Sequence, residues 1–150
     1  MDFLCRLTAA AAGLEFISES DSDVLPVAFR SPRALSAGEG SGSLTRDELA
    51  SALAPIGAHR PMPWDEWHTP LEQRAIQFAD TSDFFTDLAA RDDDGDRWRA
   101  VAEIFGGNGT LIRLGTDKDG DEVMGTVDAL VLRQTASDEI AGIWFVSIET

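Results

Sequence analysis

The amino-acid sequence predicts an α+β domain, because the period of its hydrophobic residues changes along the chain. Before Phe105, most of the predicted elements are helices, in which apolar residues recur three and four positions apart. From Thr110 onward, long stretches rich in valine, isoleucine and leucine are separated by short polar turns, which is typical of antiparallel strands. The length of 150 residues suits one domain with a sizeable core, so we expect a single domain over residues 1–150.

The N-terminal part of the chain predicts a helix, a strand and a connection. Gly13 is placed to end a helix whose apolar residues are Phe3, Leu4, Leu7, Ala11 and Leu14. Val24 to Phe29 predicts a short strand, and Pro26 within it favours the edge of a sheet. Residues 31–43 are rich in Ser and Gly, so we expect a flexible internal linker there rather than a boundary between domains.

The middle of the chain predicts three helices and one ambiguous segment. Thr45 and Glu48 form a capping box that begins a helix through Ala54. Residues 59–69 are rich in Pro and Trp and predict irregular structure, whereas residues 76–78 fit a helix or a strand equally well. Helices are then predicted over residues 82–90 and 96–105, the second with the apolar stripe Trp98, Val101, Ala102 and Phe105.

The C-terminal third predicts three strands over residues 110–114, 122–132 and 140–148, the last two forming an antiparallel hairpin. Only Glu149 and Thr150 follow the last strand. We therefore expect their side chains and the terminal carboxylate to lie on a rigid support, either as a consequence of truncation or as a functional anionic point. The acidic stretch before the hairpin, residues 117–122, is expected to be a solvated loop.

The charge of the chain restricts its partners. There are 27 acidic and 12 basic residues, which gives a formal net charge of −15. Because this charge repels phosphates, we expect no direct binding to nucleic acid or to an anionic membrane. A basic partner fits the charge, including an enzyme with a phosphate-binding groove, and so does a simple contribution to solubility. No apolar stretch is long enough to span a bilayer, and Asp2 and Arg6 make a poor start for a signal peptide, so we expect a cytoplasmic protein.

The sequence contains no recognisable catalytic constellation. Cys5 is the single cysteine, which excludes an internal disulfide, and it has no evident base as a partner. His59 and His68 are the only histidines, and the common hydrolase, metalloprotease, phosphate-binding and redox motifs are missing. We therefore expect a protein that is not an enzyme and that requires no cofactor. Trp64 and Trp67 fit either the core or an interface, with the core favoured.

One acidic motif suggests an alternative function. Calcium loops place oxygen ligands at their first, third, fifth and last positions, and the corresponding residues here are Asp92, Asp94, Asp96 and Glu103. Arg97 occupies the position at which the sharp turn of such a loop requires glycine. The alternative is an acidic calcium-binding or adaptor module, although the arginine argues against it.

Three motifs in the chain occur together in a known order. The first is an apolar run into a Ser-Glu-Ser-acid motif, Gly13 to Asp21, which precedes the strand containing Phe29. The second is an acid-Phe-Phe helix start, Asp83-Phe84-Phe85. The third spans the predicted C-terminal strands and consists of Ile112 to Gly115, Gly125 to Leu132, and Ile140 to Ile143 continuing to Glu149-Thr150. In this order and spacing, the motifs resemble the nuclease A inhibitor family.

The resemblance implies a fold and a function. Members of the family form a three-layer α/β/α sandwich and inhibit sugar-non-specific nucleases of the ββα-metal type by plugging the active site. The resemblance implies that Thr150 reaches the catalytic Mg²⁺ of the nuclease and that Glu19 meets its basic phosphate-binding residues. The implied contacts with the nuclease are Ser18, Glu19, Ser20, Glu149 and Thr150, made by a chain that is a monomer before it binds. Residues 31–69 and 116–121 differ from the family pattern.

Overall fold

The computed structural model describes residues 2–17, 21–35, 43–55, 74–91, 94–107 and 109–149. Within them the helices are α1 (Phe3–Ala11), α2 (Arg46–Leu53), α3 (Thr81–Arg91) and α4 (Gly95–Phe105). The strands are β1 (Glu15–Ile17), β2 (Asp21–Asp23), β3 (Leu25–Arg30), β4 (Ala75–Asp80), β5 (Thr110–Asp119), β6 (Glu122–Ala136) and β7 (Glu139–Glu149). This mixture of helices with a mostly antiparallel sheet confirms the α+β class.

Five strands form one sheet in the order β3-β7-β6-β5-β4, and every neighbouring pair is antiparallel. The predicted C-terminal hairpin is confirmed, with β6 and β7 paired over most of their lengths. Pro26 lies in the edge strand β3, as its missing N–H predicts. β1 and β2 form a separate two-stranded ribbon, in which Ile17 is opposite Asp21.

Both faces of the sheet are apolar, because its central strands carry successive apolar residues and neighbouring residues of a strand point to opposite sides. One face packs against α1, α3 and α4 through a cluster that includes Leu7, Leu88, Trp98, Phe105, Val131 and Phe145. The other face packs against α2 through a cluster that includes Leu49, Leu53, Leu114, Leu130, Leu132 and Trp144. Trp98 is therefore a core residue, as its place in the apolar stripe predicts, and Trp144 is fully buried as well.

A buried ion pair lies in the sheet layer. Arg74 precedes β4 and donates from its guanidinium to Asp128 Oδ1 at 3.0 Å, and both side chains are fully buried. The same guanidinium donates to the carbonyl oxygens of Leu114 and Thr126, and Trp144 Nε1 donates to Asp128 Oδ2 at 2.8 Å. The pair therefore links the start of β4 to β5, β6 and β7.

The helix ends are closed by the groups that the sequence predicts. At α2, Thr45 Oγ1 accepts from the Glu48 backbone N–H, and Glu48 accepts in return from the Thr45 backbone N–H at 2.9 Å. That backbone hydrogen bond from Thr45 holds the pKa of Glu48 below its usual value. Gly13 follows α1 with a φ of 72°, which suits its predicted role as the stop of the first helix.

Several expectations need correction or completion. Residues 31–35 do not behave as part of a free linker, because Leu35 is buried and its N–H donates to the Ser137 carbonyl oxygen at 2.7 Å. Residues 36–42 of the predicted linker lie outside the described residues, as does the Pro/Trp segment 59–69. The ambiguous segment 76–78 is strand, within β4. The expected loop at 117–122 is largely the paired ends of β5 and β6.

Candidate functional site

Most of the contact residues implied by the resemblance lie outside the described residues: Ser18, Glu19, Ser20 and Thr150. The elements on either side of them are described. Ser18 to Ser20 connect β1 to β2, and Thr150 directly follows Glu149, the last residue of β7. The positions of the ribbon and of the end of β7 therefore define where the candidate site is built.

The β1–β2 ribbon lies beside the C-terminal half of β7. Ser22 Oγ accepts a hydrogen bond from the backbone N–H of Val146 at 2.9 Å, which joins β2 to β7 near its end. On β1, the ring of Phe16 stacks on that of Phe145 with centroids 4.5 Å apart. The aromatic contact and the hydrogen bond hold both strands of the ribbon against β7. The described ends that flank Glu19 and Thr150 thus belong to neighbouring elements.

A cleft of about 300 Å³ is lined by residues of β1 and of the sheet strands β5, β6 and β7. Its lining residues are Phe16, Ile17, Phe84, Leu111, Arg113, Ala129, Phe145, Ser147 and Glu149. The floor is aromatic, since the rings of Phe84 and Phe145 stack with centroids 5.8 Å apart. Ile17, at the end of β1, is a large apolar residue that is 48 % exposed. The second of the three motifs, Asp83-Phe84-Phe85, therefore contributes Phe84 to the floor of a cleft that reaches Glu149 at the end of β7.

Glu149 is engaged within the chain. Its carboxylate accepts from the guanidinium of Arg113, which also donates to Gln77 Oε1 at 3.0 Å and lies 3.5 Å from Glu122 Oε1. The Arg113 side chain is only 14 % exposed, and that of Glu149 is 34 % exposed. This contact modifies the expectation for Glu149, whose side chain binds an internal partner at the place where an external contact was predicted.

The residue of β6 opposite the end of β7 is a glycine in a left-handed conformation. Glu149 is opposite Gly125, which has a φ of 85°. A Cβ on residue 125 would lie 2.2 Å from Thr116 Oγ1 and would collide with it. Thr116 Oγ1 instead accepts from the Thr126 N–H at 3.1 Å, beside a shift in the register between β5 and β6. Gly125 of the third motif is thus required by a bulge next to the candidate site.

The β5–β6 hairpin continues past the last residue that β7 pairs with. Its described end carries exposed acidic residues around the turn at Gly120, namely Asp117, Asp119, Asp121 and Glu122, against the single base Lys118. Since Gly125 is the partner of Glu149, this acidic turn lies at the same end of the sheet as Glu149. It adds negative potential beside the candidate site.

The calcium motif does not form a loop in the described residues. Asp92 lies outside them, and α4 already begins at Gly95, so Asp96 and Glu103 lie in one continuous helix. The axial rise between those two residues is about 10 Å, which prevents them from closing around one ion. No group of three or more potential metal-ligating side chains comes together within the described parts of the chain. No contact among the described residues therefore favours the calcium-binding alternative.

Arg97, which interrupts the calcium motif, has a structural partner. Its guanidinium donates to the carbonyl oxygens of Ala10, at 3.2 Å, and Ala12. These carbonyls lie at the C-terminal end of α1, where helix carbonyls lack partners inside the helix and favour a cation. The arginine thus joins α4 to α1.

The other candidate reactive residues do not gather around a site. Cys5 is exposed on α1, and a hydrogen bond from its thiol to the Asp2 carboxylate raises the pKa of that thiol, which disfavours the reactive thiolate. His59 and His68 lie outside the described residues, together with Trp64 and Trp67.

Two residues of the candidate site were not found from the sequence. Ser22 lies in a polar run in which several serines and acids look equivalent, and its hydrogen bond to β7 depends on the packing of the ribbon. Arg113 falls within a predicted strand, where an isolated charged residue is usually assigned to the solvent face. The position of Arg113 between two apolar residues indicates that its side chain is partly buried and needs a partner. That position does not by itself identify Glu149 as the partner.

Comparison with known proteins adds no relative: no protein-family model matches the chain, and no curated protein matches it either. The likeness to the nuclease A inhibitor family therefore rests on the three motifs. In the described part of the chain, no helix has the length and apolar character needed to cross a membrane.

Proposed function

We propose that this chain is a protein inhibitor of a sugar-non-specific DNA/RNA endonuclease of the ββα-metal type, and that it plugs the active site with the end of β7. Glu19 and Thr150 are the two principal contacts, with Ser18, Ser20 and Glu149 beside them. Thr150 approaches the Mg²⁺ of the nuclease, and Glu19 binds the basic residues that otherwise hold substrate phosphate.

The observation that carries this proposal is the side-by-side placement of the ribbon and β7. Glu19 is two residues from Ile17 and from Asp21, the paired ends of β1 and β2, and Thr150 is one residue from Glu149. The hydrogen bond from Val146 to Ser22 Oγ brings these two elements together, although they are far apart in sequence. Such an arrangement allows Glu19 and Thr150 to enter one active site together.

The chemistry of the two groups suits such a target. Mg²⁺ prefers oxygen ligands in octahedral geometry and retains exchangeable waters, so an oxygen of Thr150 is able to replace one of them. A carboxylate such as Glu19 pairs with arginine in a charge-assisted, bidentate geometry. Both contacts use sites that the nuclease evolved for a polyanionic substrate, which explains why a non-nucleic-acid partner is able to block it.

The charge of the chain supports the same partner. The net charge of −15 and the acidic end of the β5–β6 hairpin favour approach to a basic groove and disfavour direct binding to nucleic acid. Long-range attraction of this kind raises the association rate more than the final affinity, and salt screens it.

We also propose the finer features that accompany this function. The chain forms one domain over residues 1–150, arranged as a three-layer α/β/α sandwich, and the apolar clusters on the two faces of the sheet support that arrangement. It is a non-enzymatic, cytoplasmic monomer until it binds the nuclease, and it uses no cofactor of its own.

A titration tests the function. Untagged protein is added in increasing amounts to a ββα-metal nuclease from the same source, and cleavage of DNA and of RNA is followed. We expect cleavage of both substrates to fall to background near equimolar inhibitor. A metal-independent ribonuclease serves as the control and should remain active, which separates inhibition from a general effect of an acidic protein. Undiminished cleavage by every ββα-metal nuclease tested at a large excess of the protein would show that the proposed function is wrong.

A further inference from the structure

We infer that Arg113 is a positioning residue for the proposed inhibitory site, because its guanidinium holds Glu149 and so fixes the end of β7 from which Thr150 continues. This inference rests on the proposed function and adds to it a residue that contacts neither the nuclease nor its metal. Arg113 acts through Glu149, and its effect is on the direction in which the end of the strand is presented.

The contacts of Arg113 connect its own strand to three others. The residue itself belongs to β5, and its guanidinium reaches Gln77 on β4, Glu122 at the start of β6 and Glu149 at the end of β7. A guanidinium is planar and carries several donors in a fixed fork, so it is able to bind several acceptors in one orientation. Only 14 % of the Arg113 side chain is exposed, so water has little access to the guanidinium, although the Glu122 side chain is 66 % exposed.

The contact with Glu149 lies where the strand would otherwise be least restrained. Residues at the end of an element fray unless something holds them. Glu149 occupies the last register position of the β6–β7 ladder, opposite Gly125 in its left-handed conformation. A side-chain anchor at this position therefore limits the motion of the residue that precedes Thr150.

Two other arginine–carboxylate pairs among the described residues do not restrain the end of a strand. Arg99 and Asp96 lie within one turn of α4, and their side chains are 59 % and 97 % exposed. Arg33 binds Glu48 at 2.8 Å near the start of α2, with 42 % and 24 % of the two side chains exposed. In the contacts between described residues, neither pair reaches the end of β7 or the β1–β2 ribbon, so the Arg33–Glu48 pair provides a control.

The affinity of an inhibitor falls in proportion to the fraction of molecules that are in the binding-competent conformation. If loss of the Arg113–Glu149 contact reduces the fraction of molecules with the correct strand end to about one tenth, the inhibition constant rises about tenfold. The global fold should change far less, because the hydrophobic clusters on the two faces of the sheet contain neither Arg113 nor Glu149.

The experiment compares wild-type protein with Arg113→Met, Arg113→Lys, Glu149→Gln and the control Arg33→Met. Three quantities are measured on each: the inhibition constant toward a ββα-metal nuclease, the thermal midpoint, and the ¹⁵N order parameter of the Glu149 amide with the Phe145 amide as internal reference. The relaxation measurement uses the free protein and does not depend on any nuclease. Glu149→Gln tests the same contact from its other side, should Arg113→Met fold poorly; its order parameter is the decisive readout, because Glu149 is itself a proposed contact with the nuclease.

We expect Arg113→Met to raise the inhibition constant about tenfold, with a lower order parameter at Glu149 and an unchanged one at Phe145. Glu149→Gln should change both quantities in the same direction, Arg113→Lys should restore part of the loss, and Arg33→Met should inhibit like wild type. The positioning role is overturned if wild type inhibits and Arg113→Met and Glu149→Gln inhibit equally well with an ordered Glu149 amide. If wild type inhibits no nuclease, the proposed function itself is wrong, and the order parameters show separately whether Arg113 holds the strand end.

Discussion

Replacement of Asp128 by alanine is expected to lower the free energy of unfolding by about 3–5 kcal/mol, because it leaves the buried guanidinium of Arg74 without its carboxylate. Both side chains are fully buried, and Arg74 donates to Asp128 Oδ1 at 3.0 Å. The substitution also removes the acceptor of Trp144 Nε1, which donates to Asp128 Oδ2 at 2.8 Å. An unpaired buried charge costs more than an unpaired exposed one because water does not reach it.

Denaturant unfolding of Asp128→Ala measures this cost. Asp96→Ala is the control, because it breaks an exposed arginine–carboxylate pair and should cost no more than about 1 kcal/mol. The double variant Arg74→Met with Asp128→Leu removes both charges and should recover much of the loss, since an apolar pair of similar volume often replaces a buried ion pair without penalty. A loss for Asp128→Ala as small as that for Asp96→Ala would contradict the assigned role of the buried pair.

Glu19→Ala is expected to weaken inhibition by about 2–5 kcal/mol of binding free energy, the cost of leaving a desolvated basic residue of the partner unpaired. The reason lies in the complex and not in the fold, so the thermal midpoint of the free protein should change little. Measurement of the inhibition constant and of the dissociation rate checks the prediction, because loss of a buried charge pair acts mainly on dissociation.

Glu15→Ala is the matched control for Glu19→Ala. Glu15 has the same carboxylate, lies on β1 of the same ribbon and is exposed, but it is opposite Asp23 at the end of the ribbon away from residues 18–20. It contributes to the long-range field, so its removal should reduce the association rate slightly. If Glu15→Ala and Glu19→Ala weaken inhibition by the same amount, Glu19 acts only through net charge and does not make the proposed contact.

The elements that the sequence predicts well are those whose local signals agree with their packing. The capping box at Thr45, the stripe of α4 around Trp98 and the C-terminal hairpin all combine a clear period with a clear start or stop. For α4, three residues of the predicted stripe are fully buried: Trp98, Val101 and Phe105. In these segments the same side chains that set the local structure also form the core, so the period alone is sufficient.

The remaining elements depend on partners that are distant in sequence. β1 and β2 contain only three residues each, too few to show a period, and the ribbon is placed by Phe16 on Phe145 and by Ser22 on Val146. β4 was ambiguous because Ile76 and Phe78 suit either a helix or a strand, and its pairing with β5 decides the matter. Short strands take their stability from cross-strand contacts, which no local pattern reveals.

The candidate site shows the same division. The resemblance of the motifs directed attention to residues 18–20 and 149–150, but the residues that connect and hold these segments, Ser22 and Arg113, emerged only from the structure. Arg97 is the converse case, since its place in an acidic motif suggested a damaged calcium loop. In the structure, Arg97 binds the end of α1, and this contact explains the presence of an arginine at that position.

The inhibition constant of a form extended by a few residues after Thr150, compared with that of a form that ends at Thr150, tests the plug mechanism most directly. The added residues follow the end of β7 and lie outside both hydrophobic clusters, so they should leave the thermal midpoint unchanged. We predict that the extended form inhibits a ββα-metal nuclease far more weakly than the form that ends at Thr150, because the extra chain occupies the space that Thr150 needs beside the metal. Equal inhibition by the two forms would contradict the plug.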